Sequence, residues 1–371
     1  MNIGFDINEA NIPQRVGVNQ VAYQIFVHMV KNLPEGDKII ALGKERPLPD
    51  MPPASDKLVY EIFGSKRAWV LTSLTKRLWF GRPKIDILFS PSHYSPVFSS
   101  VKSAIYLMDM SFERFGTEYF TSYDINQLKK WTPLSVKKAN KIFTISEFSK
   151  NEIVKLYGTN PDKIEVVYPA YDKEVFHGKV PKTKQSAVRK KYDVNGSFVL
   201  YWGTLQPRKN ISRLIEAFSE LKESRLKLVI VGKRGWIYDQ ILEQSKKLGI
   251  ENRVIFTGFV PTEDLPALIK ASRAFVLPSL YEGFGIPVVE AQAVGTPVIV
   301  SAVSSLPEIT GESGIFIEDP TSVQSIKEAL EKVMTLSASA KGRIIKAGKE
   351  NSRRFDWDIS AQKIISLLKN I

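Results

Sequence analysis

The 371-residue sequence contains no cysteine. This excludes disulfides, thiolate catalysis and cysteine-bound metals, and it is compatible with a reducing compartment. Histidine is nearly as scarce. His28, His93 and His177 are scattered along the chain, so a His-rich metal centre is not expected. No stretch reaches the roughly 18 consecutive apolar residues needed to cross a bilayer. The opening residues Met1-Asn2-Ile3-Gly4-Phe5-Asp6-Ile7 lack the basic head and long apolar run of a signal peptide, and read as a first β-strand. The expectation is a cytoplasmic protein whose membrane contact, if any, is peripheral.

The length favours two domains over one. Hydrophobic content of 43% and charged content of 25% place the chain among globular proteins rather than disordered ones. A net charge of +13, from 52 Lys+Arg against 39 Asp+Glu, says nothing of fold but points to anionic partners: lipid headgroups or phosphorylated substrates. Nucleic acid is not expected, because no motif for binding it is present.

Short β-type runs alternate with helical patterns throughout, which predicts an α/β architecture of parallel sheets. Strands are expected at Ile3–Ile7, Ile39–Leu42, Ile85–Phe89, Ala104–Leu107, Ile142–Ile145 and Ile164–Val167, with helices near Asn19–Leu33 and Ile125–Ala139. The Lys-rich stretch Gly178 to Gly196 reads as the inter-domain linker region. Strands then resume at Phe198–Tyr201, Leu226–Val231, Val254–Phe256, Ala274–Leu277 and Pro297–Val300. Helices are expected near Ile211–Leu221, Tyr238–Leu248, Glu263–Lys270 and Pro287–Val294. This gives two doubly wound domains, residues 1–178 and 179–355, with ligand expected in a cleft between them at the carboxyl ends of the strands. A last helix, within 356–371, is expected to pack back toward the first domain.

The most informative stretch runs from Pro278 through Ser279-Leu280-Tyr281-Glu282-Gly283-Phe284-Gly285-Ile286-Pro287 to Glu290. A glycine-bearing turn leads from a strand into a helix with proline in its first turn. The amide groups and dipole of such a helix end suit an anion, and Gly283 and Gly285 allow close backbone approach. Two carboxylates beside an anion site make sense if a diphosphate lies over the helix end with a sugar on each side. Glu290 then holds the ribose and Glu282 the transferred sugar. The plainer alternative is a turn with two surface glutamates. A second stretch, Tyr201-Trp202-Gly203-Thr204-Leu205-Gln206-Pro207-Arg208-Lys209-Asn210, places a guanidinium fork and an ammonium after a strand. That pair suits a diphosphate leaving group, although a solvated basic loop has the same composition.

In this order and separation the two stretches resemble the retaining family 4 glycosyltransferases (glycosyl transferases group 1) with the GT-B fold. The resemblance spans nearly all of the second domain. It includes Gly232, the Phe256-Thr257-Gly258-Phe259-Val260 segment and Gly295-Thr296-Pro297-Val298-Ile299. It implies donor contacts from Gly203, Thr204, Gly232, Phe259 (toward the base), Ser279, Gly283, Phe284 and Gly285. It also implies diphosphate binding by Arg208 and Lys209, a donor-sugar role for Glu282 and a ribose role for Glu290.

The first domain resembles the family more loosely. Gly17, in Arg15-Val16-Gly17-Val18-Asn19, is the one glycine left in a loop that usually has several; it allows close approach to donor phosphate or acceptor, or is an ordinary turn glycine. Asp109 keeps the family position at a strand end, but Met108 precedes it where many relatives have histidine. His93 is a possible substitute near the sugar, or a structural histidine. Ser146 either points toward the cleft or caps a helix. The implied catalytic set is Glu282, Asp109, Arg208 and Lys209.

The resemblance implies retention at the anomeric carbon through front-face displacement, with no cofactor and no metal, the two cations and the helix end standing in for one. Asp356-Trp357-Asp358 matches a metal-binding carboxylate pair, but Asp358 is read as a helix cap. The expected activity is hexose transfer, mannose from GDP-mannose being the first donor to test, to a saccharide or lipid-linked acceptor. The alternatives are a non-catalytic nucleotide-sugar- or membrane-binding relative, and a nucleotide-sugar epimerase. Finally, Ser65 to Lys84 interleaves Trp69, Leu78, Trp79 and Phe80 with Lys66, Arg67, Lys76, Arg77 and Arg82. These residues suit an anionic membrane surface, or a helix whose apolar side packs on the first sheet.

Overall fold

A computed structural model describes residues 1–15, 17–65, 68–116, 122–232 and 238–371. Val16, Lys66 and Arg67, named above, lie outside the described residues. The chain forms two compact units, Met1–Pro169 with Asp356–Ile371, and Ala170–Phe355.

The first unit is built on seven parallel strands: β1 (Asn2–Asp6), β2 (Lys38–Gly43), β3 (Leu58–Ile62), β4 (Ile87–Ser90), β5 (Lys102–Leu107), β6 (Lys141–Thr144) and β7 (Ile164–Val166), in the order β3-β2-β1-β4-β5-β6-β7. The central strands are apolar on both faces because helices cover both. Phe5 of β1 meets Phe89 of β4 at 5.2 Å and Phe26 of the helix Val18–Asn32 edge-on at 4.9 Å.

The second unit holds six parallel strands: β8 (Phe198–Trp202), β9 (Lys227–Val231), β10 (Val254–Gly258), β11 (Phe275–Leu277), β12 (Val298–Ser301) and β13 (Gly314–Ile317), in the order β10-β9-β8-β11-β12-β13. The direction in which successive strands are added reverses between β8 and β11. The crevice at such a reversal is the usual binding place of a doubly wound sheet.

Three readings of the sequence need correction. Edge strands β3 and β13 are not among the expected strands. β3 has exposed positions among its buried ones, with Val59 43% exposed, and β13 is four residues long. β3 lacks the continuous apolar run of a central strand, and that of β13 is the short Ile315-Phe316-Ile317. The stretch 178–196, read as linker, contains the helix Lys182–Lys191; its Lys, Arg and Gln residues are good helix formers, and it buries Gln185 and Val188. Its end is tied down by Lys191 and Tyr192, which donate to Asp264 at 2.7 and 2.9 Å.

The third correction concerns the last helix, Trp357–Lys369, whose cap is Asp356 and not Asp358. Asp356 has extended backbone and accepts from the amides of Asp358 and Ile359 at 2.7 and 3.2 Å, as an N-cap must. Asp358, already inside the helix, turns to the helix Val18–Asn32 instead. It accepts from Asn32 Nδ2 at 2.6 Å and Lys31 Nζ at 2.8 Å, and pairs with His28 Nδ1 at 2.7 Å. The hydrogen bond from Lys31 leads the causes that hold its carboxyl well below the usual range.

For the aromatic and basic stretch, the reading of apolar residues packed on the first sheet holds for part of it. Trp69 and Leu78 are buried with Leu74 in the first unit's core, and Trp69 Nε1 donates to Phe63 O at 2.9 Å. Trp79 and Phe80 remain exposed. No helix among the described residues is long and apolar enough to cross a membrane.

Candidate functional site

The reversal point of the six-stranded sheet brings together the two stretches singled out in the sequence. The loop after β8 tightens into a short helical turn, Pro207–Lys209, and ends at Asn210 with left-handed backbone, φ 60°. The loop after β11 carries Ser279 to Gly285. They are fastened by Leu280 N donating to Arg208 O at 2.8 Å, and by Asn210 Nδ2 donating to Pro278 O at 3.0 Å and Pro320 O at 2.6 Å. Asn210 has no assigned role in the sequence reading, because its role depends on strand order.

Glu282 is the centre of this junction. Lys209 Nζ donates to its Oε1, Ser279 Oγ to the same atom at 2.7 Å, and Arg208 Nη1 to Oε2 at 3.2 Å. Arg208 Nη1 also donates to Tyr281 O at 3.0 Å. Burial alone drives the Glu282 carboxyl upward, but Lys209 and then Arg208 outweigh it and hold it at about 2. The carboxylate is therefore ionised at neutral pH, and its charge is matched by two cations. Its backbone is held as firmly. Glu282 N donates to Ser304 Oγ at 3.0 Å, and Ser305 Oγ donates to Glu282 O at 2.9 Å and Phe284 O at 3.1 Å. Neither serine stands out in the sequence.

Gly285 has φ 103°, a backbone that favours glycine, and a Cβ there would also lie 2.9 Å from Leu306 Cδ2, which would have to shift. It opens the helix Ile286–Val294, whose first turn carries Pro287. One turn inside, Glu290 is buried, and its Oε2 has no hydrogen-bond partner among the described residues. The indole Nε1 of Trp202, at the end of β8, is also buried without a partner in hydrogen-bond geometry among the described residues. Burial pushes the Glu290 carboxyl up to about 8, with the nearby Trp202 indole opposing the rise and Asp172 adding to it. The two glutamates are thus opposite in character, one ionised and paired, the other held protonated by its surroundings. Buried polar atoms without partners are uncommon in native folds, and each calls for an explanation. Trp202 lies within the motif quoted from the sequence but has no role in that reading.

The remaining candidates of this unit line neighbouring strand ends. Gly203 N donates to Val231 O at 3.0 Å and Gly232 N to Gly258 O at 3.1 Å, joining the ends of β8, β9 and β10. A Cβ on Gly232 would lie 2.4 Å from Gly203 O, so this approach also requires glycine. Thr204 is exposed, and Phe259, after β10, is 63% exposed. Gly283 and Phe284 are buried, and Phe284 packs edge-on against Phe355 at 5.3 Å.

In the first unit, Asp109 Oδ1 accepts from Ser111 N at 2.9 Å and Ser111 Oγ at 2.6 Å, a turn that leads into the short helix Ser111–Phe115. His93 packs edge-on against Phe112 at 5.4 Å, and its Nδ1 is buried without a partner among the described residues. Burial lowers its pKa, with Asp109 pulling the other way. Ser146 is the N-cap of the helix Glu147–Tyr157, accepting from Ser149 N at 3.0 Å. Gly17 has φ 53° and precedes the helix Val18–Asn32. At the end of β1, Asp6, raised by burial to about 6, is a buried carboxyl that the sequence reading leaves out.

Comparison with known proteins agrees with this layout. The sequence model of the family described as glycosyl transferases group 1 matches residues 183–351. The chain is similar to the O-antigen chain mannosyltransferase B of Escherichia coli, 33% identical over 259 residues, 68% of this chain and 66% of that one. It is also similar to the serotype-specific mannosyltransferase WbdA of Escherichia coli, 31% identical over 261 residues, 68% of this chain and 31% of that one. The matched part thus spans between about a third and two thirds of these relatives. Among solved structures, HepE of Anabaena in complex with UDP-glucose superposes with a TM-score of 0.75 at 18% identity, covering 100% of both chains. With these matches, and with one seven-stranded and one six-stranded parallel sheet, the chain belongs to the glycosyl transferases group 1 family and has the GT-B fold.

Proposed function

We propose that this protein is a retaining, metal-independent hexosyltransferase acting in glycan or polysaccharide biosynthesis. It takes a sugar from a nucleotide-diphosphate donor and passes it to a saccharide or lipid-linked acceptor. The observation that carries the reading is the junction at the sheet reversal, where Arg208 and Lys209 meet Glu282 beside the N-terminus of the helix Ile286–Val294. In the free protein the two cations neutralise Glu282. A diphosphate offers them a second anion and meets the helix amides at the same time. Glu282 then accepts hydrogen bonds from hydroxyls of the donor sugar, and Glu290 from the ribose. Charge developing on the leaving diphosphate is stabilised by Arg208 and Lys209. The names of the two relatives above favour mannose, so GDP-mannose is the first donor to test.

A thermal-shift screen of GDP-, UDP- and ADP-sugars tests the reading. The matching donor raises the melting temperature, and no shift with any of them would sink the proposal. Arg208→Ala is expected to weaken nucleotide-diphosphate binding by ~1.5–3 kcal/mol, the scale of a hydrogen bond to a charged group. Unchanged affinity by calorimetry would count against a diphosphate role. Activity should be the same with and without EDTA, because the cations and helix end supply the positive charge. A loss restored by Mn²⁺ would overturn that part of the reading.

A further inference from the structure

The donor site leaves unused an aromatic and basic corner of the first unit. The short helix Thr75–Phe80 turns Leu78 inward, where it joins Leu74 and Trp69 in the core. Lys76, Trp79 and Phe80, three and four residues apart, share its outer side. Trp79 is 47% exposed and Phe80 77%. Trp79 Nε1 donates to Phe98 O at 2.9 Å, which fastens a second segment alongside, and Phe98 is 67% exposed. Three large rings from two segments therefore face solvent together.

Exposed basic side chains flank them in the chain. Lys76, Arg82 and Lys84 are exposed, and none forms an ion pair among the described residues. Of two acids near this corner, one is paired with a cation and the other is exposed and bonded to a backbone amide. Glu61 is gripped by Arg77, at 2.5 and 2.9 Å, and Asp86 accepts from Asn2 N at 2.7 Å.

We propose that this corner, Trp79, Phe80 and Phe98 ringed by Lys76, Arg82 and Lys84, docks the protein on an anionic lipid bilayer. Rings of this size settle at the boundary between headgroups and acyl chains, while ammonium and guanidinium groups meet lipid phosphates. The net charge of +13 adds long-range attraction to such a surface. The inference does not depend on the glycosyl-transfer reading.

Flotation of the full chain with vesicles tests it, using phosphatidylcholine alone and phosphatidylcholine mixed with phosphatidylglycerol. The wild type is expected to float with the mixed vesicles and not with the neutral ones. Phe80→Ser with Phe98→Ser, and separately Lys76→Glu with Lys84→Glu, should each lower partitioning roughly tenfold or more. These are exposed positions, so melting temperatures should hold, and nucleotide affinity on the same samples should not change. Three results would overturn the proposal: no flotation of the wild type, wild-type flotation of the aromatic variant, or a dimer that the aromatic variant dissociates in place of vesicle binding.

Discussion

Glu282→Gln is expected to cut sugar transfer roughly 100-fold or more, the scale of losing a group that acts in the transition state, while nucleotide-diphosphate affinity holds or tightens. The separation follows from the free protein's geometry. Lys209 and Arg208 are both committed to the Glu282 carboxylate, so a diphosphate must draw them away from it. A neutral amide holds them less firmly, which favours diphosphate binding, but it accepts hydrogen bonds from sugar hydroxyls less strongly. Steady-state turnover and calorimetric affinity of the same variant check the two halves. Wild-type turnover would remove Glu282 from the reaction, and a large loss of nucleotide affinity would show that it binds the diphosphate region in some other way. Glu282→Ala is a poorer probe. Removing one side of a buried ion cluster leaves uncompensated charge, at about 3–5 kcal/mol, and the melting temperature should fall as well.

Glu290→Gln should flatten the pH dependence of stability and remove a proton release on nucleotide binding. The folded protein holds the Glu290 proton up to about pH 8, whereas an unfolded chain releases it near 4.5, the ordinary glutamate value. The folded state therefore binds more protons between those limits, and stability falls as pH rises through that window. The stabilisation is fully present below pH 4.5 and lost above about 8, a change on the order of 5 kcal/mol. Glutamine resembles the protonated acid and does not titrate, so the variant should melt near wild type at about pH 5 and above it at about pH 9. If Glu290 accepts from the ribose as a carboxylate, binding near neutral pH expels its proton. Calorimetry in buffers of different ionisation enthalpy should detect that release in wild type and not in the variant. Equal release in both would assign the proton to the nucleotide itself.

Much of the layout is readable from residue pattern. The apolar runs of β1, β2, β5, β8, β9 and β12 stand out because strands covered on both faces have no polar side. Glycine and proline mark the turn into the helix Ile286–Val294 because that backbone tolerates little else at Gly285. Edge strand β3 escapes the pattern because a half-exposed strand needs no such run, and β13 because its run, Ile315-Phe316-Ile317, is short. The cap of the last helix falls two residues from its expected place because Asp356 and Asp358 are chemically identical, and only backbone conformation separates an N-cap from a first-turn residue.

Residue type and spacing along the chain already specify two parallel α/β halves, a basic pair after one strand and two acids flanking a glycine turn after another. They do not specify that Lys209 reaches Glu282, 73 positions away, because that depends on β8 lying beside β11. Nor can they say that Glu282 is driven to about 2 and Glu290 to about 8. Strand neighbours are chosen by burial of the whole sheet, and a carboxyl's proton affinity by everything packed around it, so neither can be read from local sequence.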